Sequence, residues 1–322
     1  MKIAFIADPL DEFKIYKDTT FAIMREAAQR GHALHAGLQD GLAWRAGEVT
    51  LVASRIHLTG DQEPWYRAEP AAESAVSAFD VVLMRKDPPF DMEYVYSTYL
   101  LELAEKRGAR IVNRPRAVRD HNEKLAIARF AEFTAPTLVT RRETLIREFL
   151  AEHRDVILKP LDGMGGTSIF RIRENDPNLN VIIETLSGCG TRTVMAQRYI
   201  PEIKYGDKRV LLIAGAPVPY ALARIPKPGE TRGNLAAGGT GVAQPLSARD
   251  REIAHALGPT LHSDGLLLVG LDVIGDYLTE VNVTSPTCFQ EIMQQTDCNV
   301  AGMMLDALEQ FSGTNAARAQ PL

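Results

Sequence analysis

The stretch that most constrains this chain is 266–286, LLLVGLDVIGDYLTEVNVTSP. Two apolar runs flank Gly275-Asp276, the pattern of two antiparallel strands joined by a tight turn. Three oxygen-bearing side chains interrupt the runs: Asp272, Glu280 and Asn282. Glu280 and Asn282 are two apart on one strand and so share a face of the sheet. The short turn lets Asp272 reach that face from the partner strand. Two carboxylates and an amide are hard oxygen ligands with a net charge of minus two. Such a set suits Mg²⁺, whose remaining ligands are phosphate oxygens and water. The plain alternative is a half-buried hairpin that turns its polar residues to solvent. Against it, Val281 and Val283 alternate with Glu280 and Asn282, and Leu271 and Val273 flank Asp272. Carboxylates in so apolar a hairpin need a partner.

At 322 residues the chain is long for one core, and two or three domains are expected. Apolar residues make up 45% and charged residues 24%, the profile of a folded soluble protein. A net charge of -5 argues against a nucleic-acid binder that relies on overall charge. The apolar run in MKIAFIADPL is too short for the core of a signal peptide, and no run approaches a membrane span. The expectation is a cytoplasmic protein. Cys189, Cys288 and Cys298 lack zinc spacing and read as reduced thiols.

Residues 1–120 alternate short apolar strands with helices. Strands are expected at 2–7, 33–38, 81–84 and 110–113, with helices after Asp18 and over 93–107. Between them, 39–77 reads as irregular apart from a strand at 49–53. The alternation implies a parallel sheet, in which ligands gather beyond the carboxyl ends of strands. Arg85 stands at such an end and is a candidate anion binder, the alternative being an ordinary surface arginine.

A second pattern begins near 122. A helix is expected over 122–133 and includes Lys124. A strand at 156–160 carries Lys159. It runs into Leu161-Asp162-Gly163-Met164-Gly165-Gly166-Thr167-Ser168, and a strand follows at 169–173. This glycine loop joins strand to strand, so it is neither a Walker A motif nor a dinucleotide fingerprint. Its backbone N–H groups can still cradle phosphate. An ordinary hairpin turn is the alternative, and three glycines after a strand lysine argue against it. A strand is expected at 194–200. An antiparallel pair at 210–214 and 218–224 sets Arg209 and Arg224 to face one pocket. The Gly- and Pro-rich stretch 225–243, with Arg232 and Asn234, reads as a lid. Helices are expected over 247–263, 288–295 and 300–311, then a disordered tail.

Together these parts make a nucleotide site. Lys124, Lys159 and the 163–166 loop would neutralise phosphates. Asp272, Glu280 and Asn282 would hold Mg²⁺ against them. Arg209, Arg224 and Arg232 would bind an anionic second substrate or a developing charge. Phosphoryl transfer is mostly positioning and electrostatic stabilisation, and it requires these parts. No Ser/His/Asp set stands out.

Six segments carry a resemblance: MRKDPPFD (84–91), NEKL (122–125), ILKPLDGMGG (157–166), GDKRV (206–210), ARIPKPGETRGNLAAGG (223–239) and TEVNVTSPTC (279–288). From residue 1 to about 310 the chain resembles the prokaryotic glutathione synthetases of the ATP-grasp superfamily. The lid motif and NVTSPTC are the specific part; the metal trio and paired lysines are common to many ATP-grasp enzymes. The resemblance implies an α/β fold with α+β elements: an ATP-grasp fold preceded by a parallel-sheet α/β domain. It implies an N-terminal domain at 1–121, a central domain at 122–200 and a C-terminal domain at 201–312. The last would hold the metal site and a lid loop at 226–241, with a disordered tail at 313–322.

It further implies ligation of γ-glutamylcysteine and glycine to glutathione through an acyl phosphate, with ATP as co-substrate. Mg²⁺ would be the metal, with Mn²⁺ able to substitute, and the assembly a homotetramer. ATP would meet Lys124, Lys159, Gly163, Met164, Gly165 and Gly166. Adenine would lie along Gln197, Arg198, Tyr199 and Ile200, and the ribose against Asp207. Arg85, Arg209, Arg232, Asn234 and Ser285 are candidates for substrate carboxylates. Arg224, with Arg209 and Lys159, would act in catalysis, Arg224 on the oxyanion of the tetrahedral intermediate. Two other readings compete: another ATP-grasp carboxylate–amine ligase, and a non-catalytic nucleotide-binding regulator. The regulator should have lost a metal ligand or lid arginine, and this chain keeps them.

Overall fold

The computed structural model describes residues 1–60, 64–163, 165–230, 232–233, 235 and 238–318, with backbone alone over 314–318. The first sheet contains β1 (Lys2–Ile6), β2 (Ala33–Gly37), β3 (Leu42–Arg45), β4 (Glu48–Leu58), β5 (Tyr66–Ala68), β6 (Ala72–Ala75), β7 (Val81–Met84) and β8 (Ile111–Val112). Its order is β3-β4-β2-β1-β7-β8, with β5 and β6 also paired to β4. The run β2-β1-β7-β8 is parallel, as expected, and β4 adds an antiparallel flank. The continuous apolar strands β1 and β7 are buried as parallel strands covered on both faces must be. Helices α1 (Thr19–Gln29), α2 (Met92–Glu105) and α3 (Pro115–Asp120) accompany this sheet. Asp18 accepts a bond from Phe21 N at 2.7 Å and Asp91 one from Tyr94 N at 2.9 Å, capping α1 and α2.

One expectation fails here. Residues 39–77 are not mainly irregular but hold four strands, β3 to β6. In β4, Val49, Leu51, Ala53 and Ile56 are buried, and a bulge-like break in the alternation after Ala53 masks the strand's length in the sequence.

The second sheet, order β11-β10-β12-β9, is antiparallel throughout. It contains β9 (Thr137–Thr140), β10 (Asp155–Pro160), β11 (Phe170–Arg173) and β12 (Val194–Arg198). Helices α4 (Glu143–His153) and α5 (Leu179–Ser187) cover it through Ile146, Leu150, Ile183 and Leu186. Full burial of each such side chain contributes about 1.5–3 kcal/mol. The helix expected over 122–133 is instead a set of 3₁₀ turns, Leu125–Phe133, broken at Phe130. Asn122 Oδ1 accepts from Lys124 N and Leu125 N at 3.2 and 2.9 Å, so the chain turns there before any helix starts.

The third sheet has the order β15-β14-β13-β16-β17. Its strands are β13 (Asp207–Ile213), β14 (Ala216–Ile225), β15 (Thr240–Pro245), β16 (Leu268–Ile274) and β17 (Tyr277–Asn282). Helices α6 (Ala248–Ser263), α7 (Phe289–Gln295) and α8 (Val300–Arg318) complete this part. The expected loop 225–243 is shorter than read, because Thr240 and Gly241 pair with Ile225 and Arg224. Helix α8 is drawn through Arg318. Residues 319–322 lie outside the described ones.

Asn113 ties the first sheet to the third. Its Oδ1 accepts from Leu267 N and Leu268 N at 2.8 and 2.9 Å, and its Nδ2 donates to Leu268 O and Val283 O at 2.7 and 2.9 Å. That buried amide fixes where the β16–β17 hairpin stands. Among the described residues no helix is long and apolar enough to cross a membrane.

Candidate active site

Strands β16 and β17 pair antiparallel, with Asp272 opposite Glu280 and Gly270 opposite Asn282. The three oxygen side chains therefore share a neighbourhood, and all three line one cleft. Asp272 is buried. Arg209 Nε and Nη2 reach its two oxygens at 2.6 and 3.2 Å, and Arg224 Nη2 lies 2.9 Å from Oδ2. Burial alone would raise this carboxyl, but the two guanidinium groups outweigh it and hold the group well below the usual carboxylate range. Glu280 Oε1 lies 3.6 Å from Lys159 Nζ and 3.9 Å from Lys124 Nζ.

Both lysines are buried, Lys159 on β10 and Lys124 just before the 3₁₀ turns. Burial draws the Lys159 ammonium below the ordinary lysine value; Glu280 opposes that shift and Lys124 adds to it. The Lys124 ammonium also donates to Gly163 O, which anchors the glycine loop. Gly165 and Gly166 take φ of +64° and +81°, a backbone that side chains resist, so glycine is required there.

Two clefts meet at the carboxylate pair. The first, of about 820 Å³, is lined by Lys124, Lys159, Gly163, Gly165, Gly166, Gln197, Arg198, Tyr199, Ile200, Asp207 and Arg232. The second, of about 1280 Å³, is lined by Arg209, Arg224, Asn282 and Ser285. Asp272 and Glu280 line both. The described residues expected to hold nucleotide thus all line the first cleft, Gly163 and Gly165 lining the second as well, and three of the six expected to hold the second substrate, Arg209, Arg224 and Ser285, line the other.

Asp207 is buried with Oδ2 2.5 Å from Arg224 Nη2, while its Oδ1 has no hydrogen-bond partner. Burial pushes this carboxyl up to about 7, with Arg224 resisting and Asp272 and Glu280 adding to the rise. An orphaned buried oxygen on a residue that lines a cleft suits a ligand hydroxyl.

Some residues fall elsewhere. Arg85 is buried, bound to Thr20 Oγ1 at 3.1 Å and Pro286 O at 3.0 Å, and it lines neither cleft. Its Nη1 has no partner. Arg232, read as a lid cation for an anion, is partly exposed and paired with Glu230 at 2.6 Å. It lines the nucleotide cleft rather than the second one. The reason is local: Glu230 is two residues away and within reach. Ser285 Oγ donates to Asp87 Oδ1 at 2.5 Å. Met164 and Asn234 lie outside the described residues.

Sequence reasoning missed Glu123. One of its oxygens accepts from Val283 N, Thr284 N and Thr284 Oγ1 at 2.9, 3.1 and 2.8 Å. Its own carbonyl accepts from Val281 N at 2.8 Å. It therefore clamps the end of β17, the strand that carries Glu280 and Asn282, and burial raises its carboxyl. The signal was present in NEKL, where a carboxylate precedes the lysine expected to meet phosphate. Lys14 and Lys17, which line the second cleft, gave no motif.

The donor set fits a hard divalent cation. Asn282 Nδ2 donates to Gly270 O at 3.1 Å, so the amide oxygen is the atom a cation would meet. Among the described residues no group of three or more His, Cys, Asp or Glu is placed to hold a metal. Two carboxylates and an amide leave the rest of a Mg²⁺ shell to phosphate and water, as that ion prefers.

Solved structures share this architecture. D-cycloserine synthetase DcsG superposes with a TM-score of 0.66 at 17% identity, covering 97% of this chain and 100% of that one. A RimK domain protein ATP-grasp from Sphaerobacter thermophilus gives 0.64 at 19% identity, covering 95% and 99%. The fold is that of the ATP-grasp proteins. Within it, the model of the prokaryotic glutathione synthetase N-terminal domain matches residues 1–119, and that of the same family's ATP-grasp domain matches 123–297. Curated relatives described as glutathione synthetase include one from Nitrosomonas europaea, 65% identical over 96% of this chain and 98% of its own. Another, from Pseudomonas aeruginosa, is 55% identical over 96% and 97%. The chain belongs to the prokaryotic glutathione synthetase family.

Proposed function

We propose that the chain joins γ-glutamylcysteine to glycine at the expense of ATP, yielding glutathione, ADP and phosphate. The observation that supports this most is the shared wall of the two clefts, Asp272 and Glu280. A γ-phosphate from the first cleft and a carboxylate from the second meet at that wall.

In this reading adenine lies along 197–200, the ribose toward Asp207 Oδ1, and the phosphates toward Lys124, Lys159 and the 163–166 loop. The dipeptide's cysteinyl carboxylate bonds to the γ-phosphorus as the bond to ADP breaks, and the electron pair leaves with ADP. A carboxylate is a poor electrophile because its leaving group would be oxide; the acyl phosphate leaves as phosphate. Glycine's amine then attacks the acyl carbon, the bond from that carbon to the phosphate oxygen breaks with its electron pair leaving on phosphate, and the departing phosphate takes up the amine's proton. Arg224, beside Arg209 on the second cleft, stabilises the oxyanion. Mg²⁺, or Mn²⁺ in its place, held by Asp272, Glu280 and Asn282 would offset phosphate charge. Arg209 and Ser285 serve the substrate carboxylates in the second cleft, Arg232 acts from the lid, and Arg85 supports Pro286 from beneath.

The reading takes 1–121, 122–200 and 201–312 as the three domains, in a cytoplasmic homotetramer. Its test is ADP release measured across pairs of carboxylates and amines. The pair γ-glutamylcysteine and glycine should exceed D-alanine with D-alanine, and amino acid with peptide, by orders of magnitude. Equal rates across pairs would return the chain to the wider ligase class.

A further inference from the structure

Antiparallel pairing puts Arg171 and Tyr199 on one face of the second sheet. On β10, Ile157 stands opposite Arg171 of β11 on one side and opposite Gln197 of β12 on the other. Tyr199 lies two residues past Gln197, and its N donates to Asp155 O at 2.9 Å, which continues the pairing beyond β12. Ile157, Gln197 and Tyr199 line the first cleft, and Arg171 does not.

Arg171 nevertheless touches that wall. Its guanidinium carbon lies over the Tyr199 ring, 3.5 Å from the centroid. This is van der Waals contact, well inside the reach of a cation–π interaction. Asp155 holds the guanidinium there: Arg171 Nε and Nη2 donate to its two oxygens at 2.8 and 2.6 Å. Two parallel bonds fix the plane of a guanidinium as well as its place. An ordinary surface arginine spreads its head into water, whereas only 26% of this side chain is exposed.

We propose that Arg171 is a positioning residue for the nucleotide base, acting through the Tyr199 ring. The inference rests on the reading of the first cleft as the adenine site. Asp155 holds Tyr199 twice, at the backbone through its own carbonyl and at the ring through Arg171. A ring fixed before the base arrives need not be ordered when the base docks, and ordering a free side chain weakens binding. The phosphate end of the cleft has separate supports, because Lys124 and Lys159 are set against Glu280. Loss of Arg171 should therefore weaken the hold on the base and leave the hold on phosphate alone.

The test is titration calorimetry of the full chain with Mg²⁺, using ADP and inorganic triphosphate as probes. In Arg171→Met the affinity for ADP should fall about fivefold, the scale of one cation–π contact, while that for triphosphate stays at the wild-type value. In a Tyr199→Leu background, Arg171→Met should cost nothing further, because the ring it braces is gone. Where Arg171→Met does not fold, Asp155→Asn takes its place with the same expected results, since it keeps the backbone carbonyl and loosens only the hold on Arg171. Unchanged ADP affinity in the folded variant would overturn the proposal. So would an equal loss for ADP and triphosphate, or the full fivefold loss in the Tyr199→Leu background. A wild type that binds no ADP would overturn the nucleotide reading itself and this inference with it, a result distinct from the other three.

Discussion

Asp272 and Glu280 stand directly opposite each other across the β16–β17 pair. Like charges in that position repel. Each is met by its own two cations: Arg209 and Arg224 at Asp272, Lys124 and Lys159 at Glu280. Those four cations come from four separate segments of the chain. The pair is therefore balanced only in the folded protein, on a wall that both clefts share.

Replacing Glu280 by Gln keeps the shape and removes the charge. The expected outcome is a loss of turnover of about 100-fold or more, the scale of removing one electrostatic contributor at a reacting centre. Circular dichroism should be unchanged. Wild-type turnover at ordinary Mg²⁺ would refute the metal role of Glu280.

Lys159→Met preserves the stem of the side chain and removes its ammonium. A lost hydrogen bond to a charged group is worth about 1.5–3 kcal/mol, so the KM for ATP should rise about tenfold or more and turnover should fall. Steady-state kinetics with varied ATP check this. Unchanged ATP kinetics would leave Lys159 as a structural residue of β10.

The carboxylate pair was legible in the sequence because a Gly-Asp turn between two apolar runs fixes strand register. Lys159 and the glycine loop were legible for the same local reason. What sequence could not show is which cations pair with which anions. Arg224 reaches both Asp207 and Asp272 only because β14, β13 and β16 lie side by side. The Arg232–Glu230 pair was not legible because Glu230 sits in a loop with no periodicity to place it. Strands β3 to β6 were obscured because half-exposed strands carry many polar residues and interrupted alternation. Glu123 escaped notice because its partners, Val283 and Thr284, are distant in sequence.

Glu105 gives a pH prediction away from the site. Burial pushes its carboxyl up to about 7, with Arg114 resisting and Glu102 adding to the rise. The folded state thus holds this proton more tightly than the unfolded chain does, and stability falls as pH rises from about 4.5 to about 7. Glu105→Gln should remove that decline. Urea unfolding from pH 4.5 to 8 should show the variant gaining on the wild type by about 1 kcal/mol, allowing for solvent screening. A constant difference across that range would reject the assignment.

The loop 227–239 should act after ATP binds. Gly233 passes so close to β14 that an added Cβ would sit 2.3 Å from Arg224 O. Gly233 therefore rests against the strand that carries Arg224. Shortening the loop should leave ATP binding nearly normal and uncouple the reaction, because an acyl phosphate open to water is hydrolysed. ADP should then form with little ligated product. Limited proteolysis of the wild type should show protection of this loop by ATP and dipeptide together. A shortened variant that keeps the normal ratio of product to ADP would remove the lid role.

The most direct measurement is the stoichiometry of a single reaction: purified chain, ATP, Mg²⁺, γ-glutamylcysteine and glycine, with ADP and peptide product quantified together by mass spectrometry. The account predicts one glutathione for each ADP, with both falling away when glycine or the dipeptide is omitted. ADP formed at the same rate without the dipeptide, or no glutathione in the complete mixture, would contradict it.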